Sequence, residues 1–492
     1  MRATELETGL PPIGMEGGSA NISDKLTNLH IDINKIDEPE SRPLQGGMSV
    51  SHWLGTVRSN PLLDHRTTKE LPSSSEVVII GSGLSGALAA LNLLESENPP
   101  KSILMLEARE LCSGATGRNA GHCKPDIWRG YIEYSKRFGS EQALKILANE
   151  KETRDALVRF VTDNNVDCEV WNGKTFDVMM DPEVVAKAAR SMEAFKAAGG
   201  DASSIDVITD PKEAERVSRV KGAKAVYAWD ASTLHPWKLV AYIIERCLKL
   251  GLNLQTLTPV SSVTESSKKD CWSIQTERGS VETSNVIHTT NAYAGSLLPE
   301  LNQSIIPIPH MCNLVYPPST HSGSKALTNS YAVIYKNGLY SVNPRNTSDG
   351  CILFGGVQPN QHQLEKYVSE DPKRKTDDSL QDFKPITESV KFLGKHGFAW
   401  DESKPEVGFG VRYDRSWSGI IGLSADEVPF VGPVPGKKGQ WMSCGHNGHG
   451  MARIFTCSKG LAQLVQGSTW SQTGLPECFQ VTSERIGTRS KL

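Results

Sequence analysis

A short apolar run that leads into a glycine-rich turn constrains this chain more than any other stretch. Val77 to Ile80 are four β-branched residues, the composition of a strand that is buried on both faces. The turn has the spacing G-x-G-x-x-G and is formed by Gly81, Gly83 and Gly86. A helix rich in Ala and Leu follows, and a second apolar strand from Ile103 to Leu106 ends on Glu107. This order of strand, tight turn, helix, strand and acid is that of a βαβ unit that binds a dinucleotide.

Each position of this unit has a physical role at a pyrophosphate. The first glycine permits the tight turn, the second lets the backbone approach the phosphates, and the third lets helix and strand pack closely. The free N–H groups of the helix N-terminus attract anions, and the acid at the end of the second strand is placed to bind ribose hydroxyls. We therefore assign to the cofactor site Gly81, Ser82, Gly83, Leu84, Ser85, Gly86, Glu107, Ala108 and Arg109.

Three further stretches give the chain a family resemblance. They read S-G-A-T-G-R-N-A-G-H from Ser113 to His122, T-T-N-A-Y-A from Thr289, and G-H-N-G-H-G-M from Gly445 to Met451. Together with the first motif they resemble the D-amino-acid-oxidase-like family of FAD-dependent oxidoreductases, and within it the branch of glycine, sarcosine and γ-glutamylputrescine oxidases. The resemblance runs from about Glu76 to about Val465.

The resemblance implies FAD as the cofactor. Sarcosine oxidases tether FAD through a cysteine before the last glycine-rich turn, and Arg415 to Gly436 contains none, so we expect non-covalent binding. Cys123 and Cys444 lie beside cofactor loops and leave another tether open. The further cofactor residues, some assigned by position alone, are Ser113, Thr116, Arg118, Asn119, Gly121, His122, Val263, Asn291, Gly445, Asn447, Gly448, His449, Gly450 and Met451. We expect no metal, because His446 and His449 lie between glycines with no third ligand nearby in sequence.

The expected fold class is α/β. A chain of 492 residues is too long for one core. We expect a Rossmann-like FAD-binding domain with a central parallel sheet, interleaved with an α+β substrate domain built on an antiparallel sheet. The FAD domain is predicted over 76–135, 225–305 and 405–470, the substrate domain over 136–224 and 306–404, an N-terminal extension over 1–75 and a tail over 471–492.

Two segments outside the motifs have alternative interpretations. The first 45 or so residues have the composition of a disordered leader, whereas Trp53, Leu54, Leu62 and Leu63 are expected to dock on the main body. A leader that is disordered throughout is the alternative. The charged tract from Tyr367 to Asp382 is predicted to be an exposed loop or helix.

The chemistry implied by the resemblance is oxidation of a C–H bond next to a neutral amine nitrogen. The hydride passes to flavin N5, an imine leaves, and dioxygen is reduced to hydrogen peroxide. This chemistry requires no protein base. For substrate contacts we name Tyr340 and Trp417 beside the pocket and two arginines suited to a carboxylate, Arg345 and Arg412. Each of the four has a simpler interpretation as a core aromatic or a surface charge.

The composition and the last three residues indicate which binding partners to expect. The formal net charge of −3 argues against nucleic acid, and glycines, serines and Asn92 argue against a membrane span in the uncharged run from Val77 to Leu94. Ten cysteines without C-x-x-C pairs are typical of reduced thiols. The last residues, Ser490-Lys491-Leu492, match a peroxisomal import signal and predict an import receptor as partner. A flavin dehydrogenase or tailoring enzyme of specialised metabolism, and a non-catalytic flavin-binding factor, are the alternative functions.

Overall fold

The computed structural model describes residues 42–401, 412–413 and 415–487. Its α-helices are α1 (His52–Thr56), α2 (Leu84–Leu94), α3 (Tyr131–Phe138), α4 (Ser140–Asp163), α5 (Pro182–Ala197), α6 (Pro211–Ser218), α7 (Pro236–Lys249), α8 (Gln361–Ser369), α9 (Lys384–Phe392), α10 (Ile454–Val465), α11 (Trp470–Thr473) and α12 (Ser483–Gly487). Its strands are β1 (Val77–Ile80), β2 (Ile103–Leu106), β3 (His122–Cys123), β4 (Trp171–Met179), β5 (Asp206–Ile208), β6 (Ala225–Thr233), β7 (Asn253–Gln255), β8 (Val260–Glu265), β9 (Trp272–Thr276), β10 (Gly279–Thr283), β11 (Asn285–His288), β12 (Ile305–Val315), β13 (Ser330–Tyr335), β14 (Gly338–Pro344), β15 (Ile352–Gly355), β16 (Arg415–Ser424), β17 (Phe430–Pro433) and β18 (Gln440–Cys444).

The predicted βαβ unit forms the centre of a six-stranded sheet. The strand order is β17-β18-β11-β1-β2-β7, and all strands are parallel except β17. The inner strand β1 is buried on both faces because its residues alternate between two cores. Val77 and Ile79 pack on the side of α2, and Val78 and Ile80 pack on the side of a small antiparallel sheet of β8, β9 and β10. This confirms the Rossmann-like half of the prediction.

The second large sheet has the order β16-β12-β15-β14-β13-β4-β6-β3, with β5 beside β6. Its neighbours are antiparallel except β13 and β4. Asn337-Gly338 lies at the hairpin between β13 and β14. Strands β6 and β16 fall in ranges that the sequence assigned to the FAD domain, yet both belong to this sheet. The apolar strands of the two sheets have similar compositions. The sequence pattern of a strand therefore does not indicate which sheet it joins.

The strand register divides the second sheet into two faces. In an antiparallel pair, residues directly opposite point to the same side. Asn343 therefore shares a side with Leu353 and Leu314, and Trp417 joins that side through its partner Cys312. We call this the inner face, because these apolar residues pack into the same core as α2. Tyr340 lies on the opposite, outer face, which packs in a separate core.

The N-terminal extension docks on the body of the protein. Trp53, Leu54, Leu62 and Leu63 are all buried, as predicted, and they pack in the core that contains α2. The expected disordered leader lies mostly in residues 1–41, outside the described residues.

The prediction of an exposed charged tract from Tyr367 to Asp382 is wrong at its centre. Lys375, Thr376 and Asp378 are buried there, and the Asp378 carboxylate forms ion pairs inside the protein. The run of charged residues suggested exposure to solvent, but the arginines that pair with this carboxylate come from distant segments of the chain. Across the described residues, we find no helix with the length and apolar character needed to cross a membrane.

Candidate functional site

Three glycine-rich turns meet near the carboxyl end of β1. Gly81 has φ +109°, and a Cβ atom there would lie 2.9 Å from the carbonyl oxygen of Thr289. A Cβ atom at Gly86 would lie 2.0 Å from the carbonyl oxygen of Gly81, so α2 approaches the strand only because this residue has no side chain. The Thr289 hydroxyl lies within hydrogen-bonding distance of the Ile80 and Gly81 carbonyls, at 2.8 and 3.1 Å. The end of β11 is thereby joined to the first turn.

The acid at the end of β2 is fixed by the same turn. One oxygen of Glu107 accepts hydrogen bonds from the Ser82 amide at 3.0 Å and its hydroxyl at 2.7 Å. The other oxygen accepts from the Arg109 amide at 2.9 Å. At the start of α2, the Thr116 hydroxyl accepts a hydrogen bond from the Leu84 amide at 3.1 Å. The first turn, the acid and the second loop therefore form one hydrogen-bonded unit.

Asn291 and Asn447 hold the third turn. Asn291 has φ +49°, and its side-chain oxygen accepts hydrogen bonds from the amides of Gly445 and His446 at 3.0 and 3.1 Å. The Asn447 amide nitrogen donates to the Gly445 carbonyl at 2.7 Å, and its oxygen accepts from the Ser424 amide at 2.8 Å. The last turn is thus attached to both large sheets.

Arg118 does not serve as a free cation on the cofactor loop. Its side chain is 2% exposed and lies 3.4 Å from the Asp378 carboxylate, which also receives a 2.8 Å hydrogen bond from Arg109. Arg118 also donates hydrogen bonds to the carbonyls of Ser113 and Ser418 at 2.7 and 2.9 Å and to the Ser49 hydroxyl at 3.1 Å. Burial lowers the pKa of Arg118. The pKa of Arg109 is raised, because the effects of Tyr293 and Asp378 outweigh the opposing effect of burial.

Several buried polar atoms around the three turns have no partner among the described residues. They are the hydroxyls of Ser113 and Thr290, both ring nitrogens of His122 and Nδ1 of His446. Buried polar atoms normally find hydrogen bonds, so this group fits a site that a polar cofactor completes. Burial lowers the pKa of His122 and of His446 to about 3. Both rings are therefore neutral, with one donor and one acceptor nitrogen each. The residues present fit FAD.

The remaining predicted cofactor positions surround these turns. Val263 lies on β8 and packs in the core beneath β1 and β2. His449 lies 3.7 Å from Asp126 and 3.6 Å from Glu150, carboxylates that are also paired with arginines. Gly448, Gly450 and Met451 lead from the third turn towards α10.

The two cysteines beside the cofactor loops are buried thiols. Burial raises the pKa of Cys123 to about 12 and that of Cys444 to about 11. The Cys123 thiol contacts the Met451 carbonyl at 3.2 Å. Neither group has the thiolate character that a covalent tether requires, which agrees with non-covalent FAD.

The four predicted substrate contacts separate in the structure. Tyr340 lies on the outer face, with its hydroxyl 2.8 Å from that of Ser389. The buried Arg345 forms ion pairs with the partly exposed Glu169 and the exposed Asp349. Arg412 is partly exposed, and its guanidinium lies 3.3 Å from the carbonyl oxygen of Asp401. Trp417 alone reaches the cofactor loop, where its N–H donates to the Arg118 carbonyl at 2.8 Å.

The sequence did not reveal several polar groups on the inner face. Asp177 is buried there and forms ion pairs with Lys124 at 2.5 Å and with Arg129 at 3.1 Å. Asn343 donates to the Ala120 carbonyl at 2.7 Å, whereas its own side-chain oxygen has no partner among the described residues. The alternation of β14 marks Asn343 as facing opposite to Tyr340, but only the strand register shows which face meets the cofactor loop.

Comparison with known proteins supports this geometry. A family profile described as FAD dependent oxidoreductase (DAO) matches residues 76–464. Gamma-glutamylputrescine oxidoreductase of Escherichia coli is 23% identical over 393 residues, which cover 80% of this chain and 84% of that protein. Glycine oxidase of Pseudomonas putida is 23% identical over 401 residues, covering 80% and 95%. The crystal structure of glycine oxidase from Geobacillus kaustophilus superposes with a TM-score of 0.64 at 18% identity, covering 84% of this chain and 99% of that one.

Replacing Asp378 by Asn is expected to lower the free energy of unfolding by about 3 kcal/mol or more, because it leaves two buried guanidinium groups without a counter-charge. Urea denaturation measures the change. The matched control is Asp270→Asn, which removes an exposed carboxylate 3.1 Å from Lys438 and is expected to cost less than about 1 kcal/mol. Equal effects of the two substitutions would contradict the structural role of Asp378.

The neutral state of His122 predicts a pH dependence of stability. The folded pKa lies below the unfolded value, so the contribution is complete above about pH 6.5 and is lost as the pH falls towards 3. Between pH 7 and pH 5 the apoprotein of His122→Gln should lose about 2 kcal/mol less than the wild type in urea denaturation. The same replacement at exposed His362 is the control and should leave the pH dependence unchanged. A His122 variant with the wild-type slope would refute a neutral, buried ring.

Proposed function

Because this chain belongs to the DAO family of FAD-dependent oxidoreductases, we propose that it oxidises a C–N bond of an amine or amino acid. The observation that carries the proposal is the meeting of three glycine-rich turns around unpartnered buried groups, next to the inner face of the second sheet. The relatives named glycine oxidase and gamma-glutamylputrescine oxidoreductase support the substrate class.

The reaction removes a hydride from the carbon next to a neutral amine nitrogen. As the C–H bond breaks, the nitrogen lone pair forms the C=N bond, and water then hydrolyses the imine to a carbonyl compound and an amine or ammonia. FAD, when bound, supplies the acceptor for the hydride, and dioxygen with the electron pair and two protons gives hydrogen peroxide. The nitrogen lone pair drives the step, so the chain need not supply a base.

The residues of this chain bind and orient the substrate. His122 is a neutral ring where the cofactor loop becomes β3. The amide nitrogen of Asn343 on β14 donates to the Ala120 carbonyl of the same loop, and its side-chain oxygen has no partner among the described residues. Both offer hydrogen bonds without adding a charge, which favours a neutral amine. The positive charges of Lys124 and Arg129 nearby are balanced by buried carboxylates. Packing of the second sheet over the loop excludes water, which sharpens the orientation of the reacting carbon.

Anaerobic titration of the purified holoenzyme tests this proposal. We expect at least one member of a panel of primary amines and N-methyl, D- and cyclic amino acids to bleach the visible flavin absorption. The matched controls are hydroxy acids that carry oxygen in place of the amine, such as glycolate for glycine, and these should leave the absorption unchanged. Rapid recolouring and peroxide on admission of air indicate an oxidase, and slow recolouring indicates a dehydrogenase. Bleaching by hydroxy acids alone would refute amine oxidation.

We also propose that the protein is imported into peroxisomes. Its last residues, Ser490-Lys491-Leu492, match the import signal and lie outside the described residues. An oxidase that makes peroxide suits a compartment that contains catalase. A fluorescent protein fused to the N-terminus of the full chain should colocalise with a peroxisomal marker, and removal of the three residues should disperse it. An unchanged distribution after removal would count against the signal.

A further inference from the structure

Five consecutive backbone carbonyls of the cofactor loop accept hydrogen bonds from outside the loop. In chain order from Gly117 to Gly121, the donors are the Ser51 hydroxyl at 2.5 Å, the Trp417 indole at 2.8 Å, the Trp53 indole at 2.6 Å, the Asn343 amide at 2.7 Å and the Leu234 backbone N–H at 2.9 Å. This loop leads directly into His122, whose buried ring nitrogens have no partner among the described residues. Two of the five donors come from the segment before β1.

We call residues 49–63 the N-terminal strap. The strap precedes residue 76, where the match to the family begins. Its first part crosses the loop: the Leu54 side chain lies beside Gly117, and a Cβ atom at Gly121 would lie 2.8 Å from the Trp53 ring. Its last part contacts the segment that follows β2, where the Leu63 carbonyl accepts a hydrogen bond from the Leu111 amide at 2.9 Å. The strap therefore covers the loop on the side of its carbonyls.

The strap is itself held by an arginine contact, by Asp349 and by hydrogen bonds at its start. The Arg345 guanidinium lies 4.7 Å from the centre of the Trp53 ring, and Asp349 pairs with both Arg345 and His52 at 2.9 Å. At its start, the hydroxyl and amide of Ser49 donate to the Asp378 carbonyl at 2.7 and 2.8 Å. Arg345, which the sequence suggested for a substrate carboxylate, supports the strap instead. Docking of a few apolar side chains on the body of the protein does not require these ion pairs and hydrogen bonds.

We propose that Ser51 and Trp53 are positioning residues for FAD, which hold the cofactor loop in its binding conformation. Ser51 donates to the buried Gly117 carbonyl and Trp53 to the partly buried Asn119 carbonyl, so loss of either donor removes a hydrogen bond that holds the loop backbone. Either loss disfavours the conformation that places Thr116 on the start of α2 and His122 at the site. The inference rests on FAD binding and does not depend on which substrate the enzyme oxidises.

The test compares two tryptophan variants. Trp53→Phe keeps an aromatic ring and removes the N–H, and it should raise the dissociation constant for FAD about 10-fold, which corresponds to about 1.4 kcal/mol. Trp272→Phe removes a similar indole bond, to the Lys438 carbonyl at 2.8 Å, beside the amino end of β18 and away from the cofactor edge. The control should leave FAD affinity unchanged even if it lowers the unfolding temperature to a similar extent. Fluorescence titration of the folded apoproteins with FAD gives both constants.

A serine series keeps the proposal testable if the tryptophan variant does not fold. Ser51→Ala removes the hydroxyl, and Ser51→Thr retains a hydroxyl that both donates to Gly117 and caps α1 through the Leu54 amide. We expect FAD affinity to fall in the alanine variant and to recover in the threonine variant, with a matching shift in the bound flavin spectrum. Wild-type affinity in both Trp53→Phe and Ser51→Ala would overturn the proposal. These readouts involve no substrate, so failure of amine oxidation is recognised separately by the anaerobic titration.

Discussion

A single buried carboxylate joins the parts of this protein that must come together around the cofactor. Asp378 is 1% exposed, and it pairs with Arg109 at the end of β2 and with Arg118 on the cofactor loop. Removing three ionised groups from water is costly, and their mutual attraction offsets that cost only when all three are in place. Because Arg109 and Asp378 are 269 residues apart in the chain, the pairing forms only when both halves of the fold are assembled.

The local part of the fold was predictable from sequence. The β1–turn–α2–β2 unit depends on neighbouring residues, so composition and spacing were sufficient. The family motifs then indicated FAD as the cofactor and gave the positions of the three glycine-rich turns. The sheet to which β6 and β16 belong depends on distant partners, and for that reason the predicted boundaries at 225 and 405 differ from the observed sheets.

Side-chain roles were less predictable for the same reason. Tyr340 was expected beside the substrate pocket, but its strand has two faces, and only pairing with distant strands decides which face meets the cofactor loop. Arg118 and Arg345 carry charges that suit phosphate or carboxylate ligands. Each is instead paired with a carboxylate that is distant in sequence, Asp378 for Arg118 and Glu169 for Arg345. The role of Trp53 had no local signal beyond its apolar character.

The interleaved order of the chain has a consequence for biosynthesis. The ribosome releases the nucleotide motif hundreds of residues before the carboxylate of Asp378, the strand that carries Trp417 and the turn that follows β18. Amino-terminal regions usually fold as they appear. Here the early segment remains without its counter-charge and its third turn until most of the polypeptide has been made. A coenzyme that contacts all three turns therefore requires a polypeptide that extends beyond the third turn, so its complete site cannot form on the early segment alone.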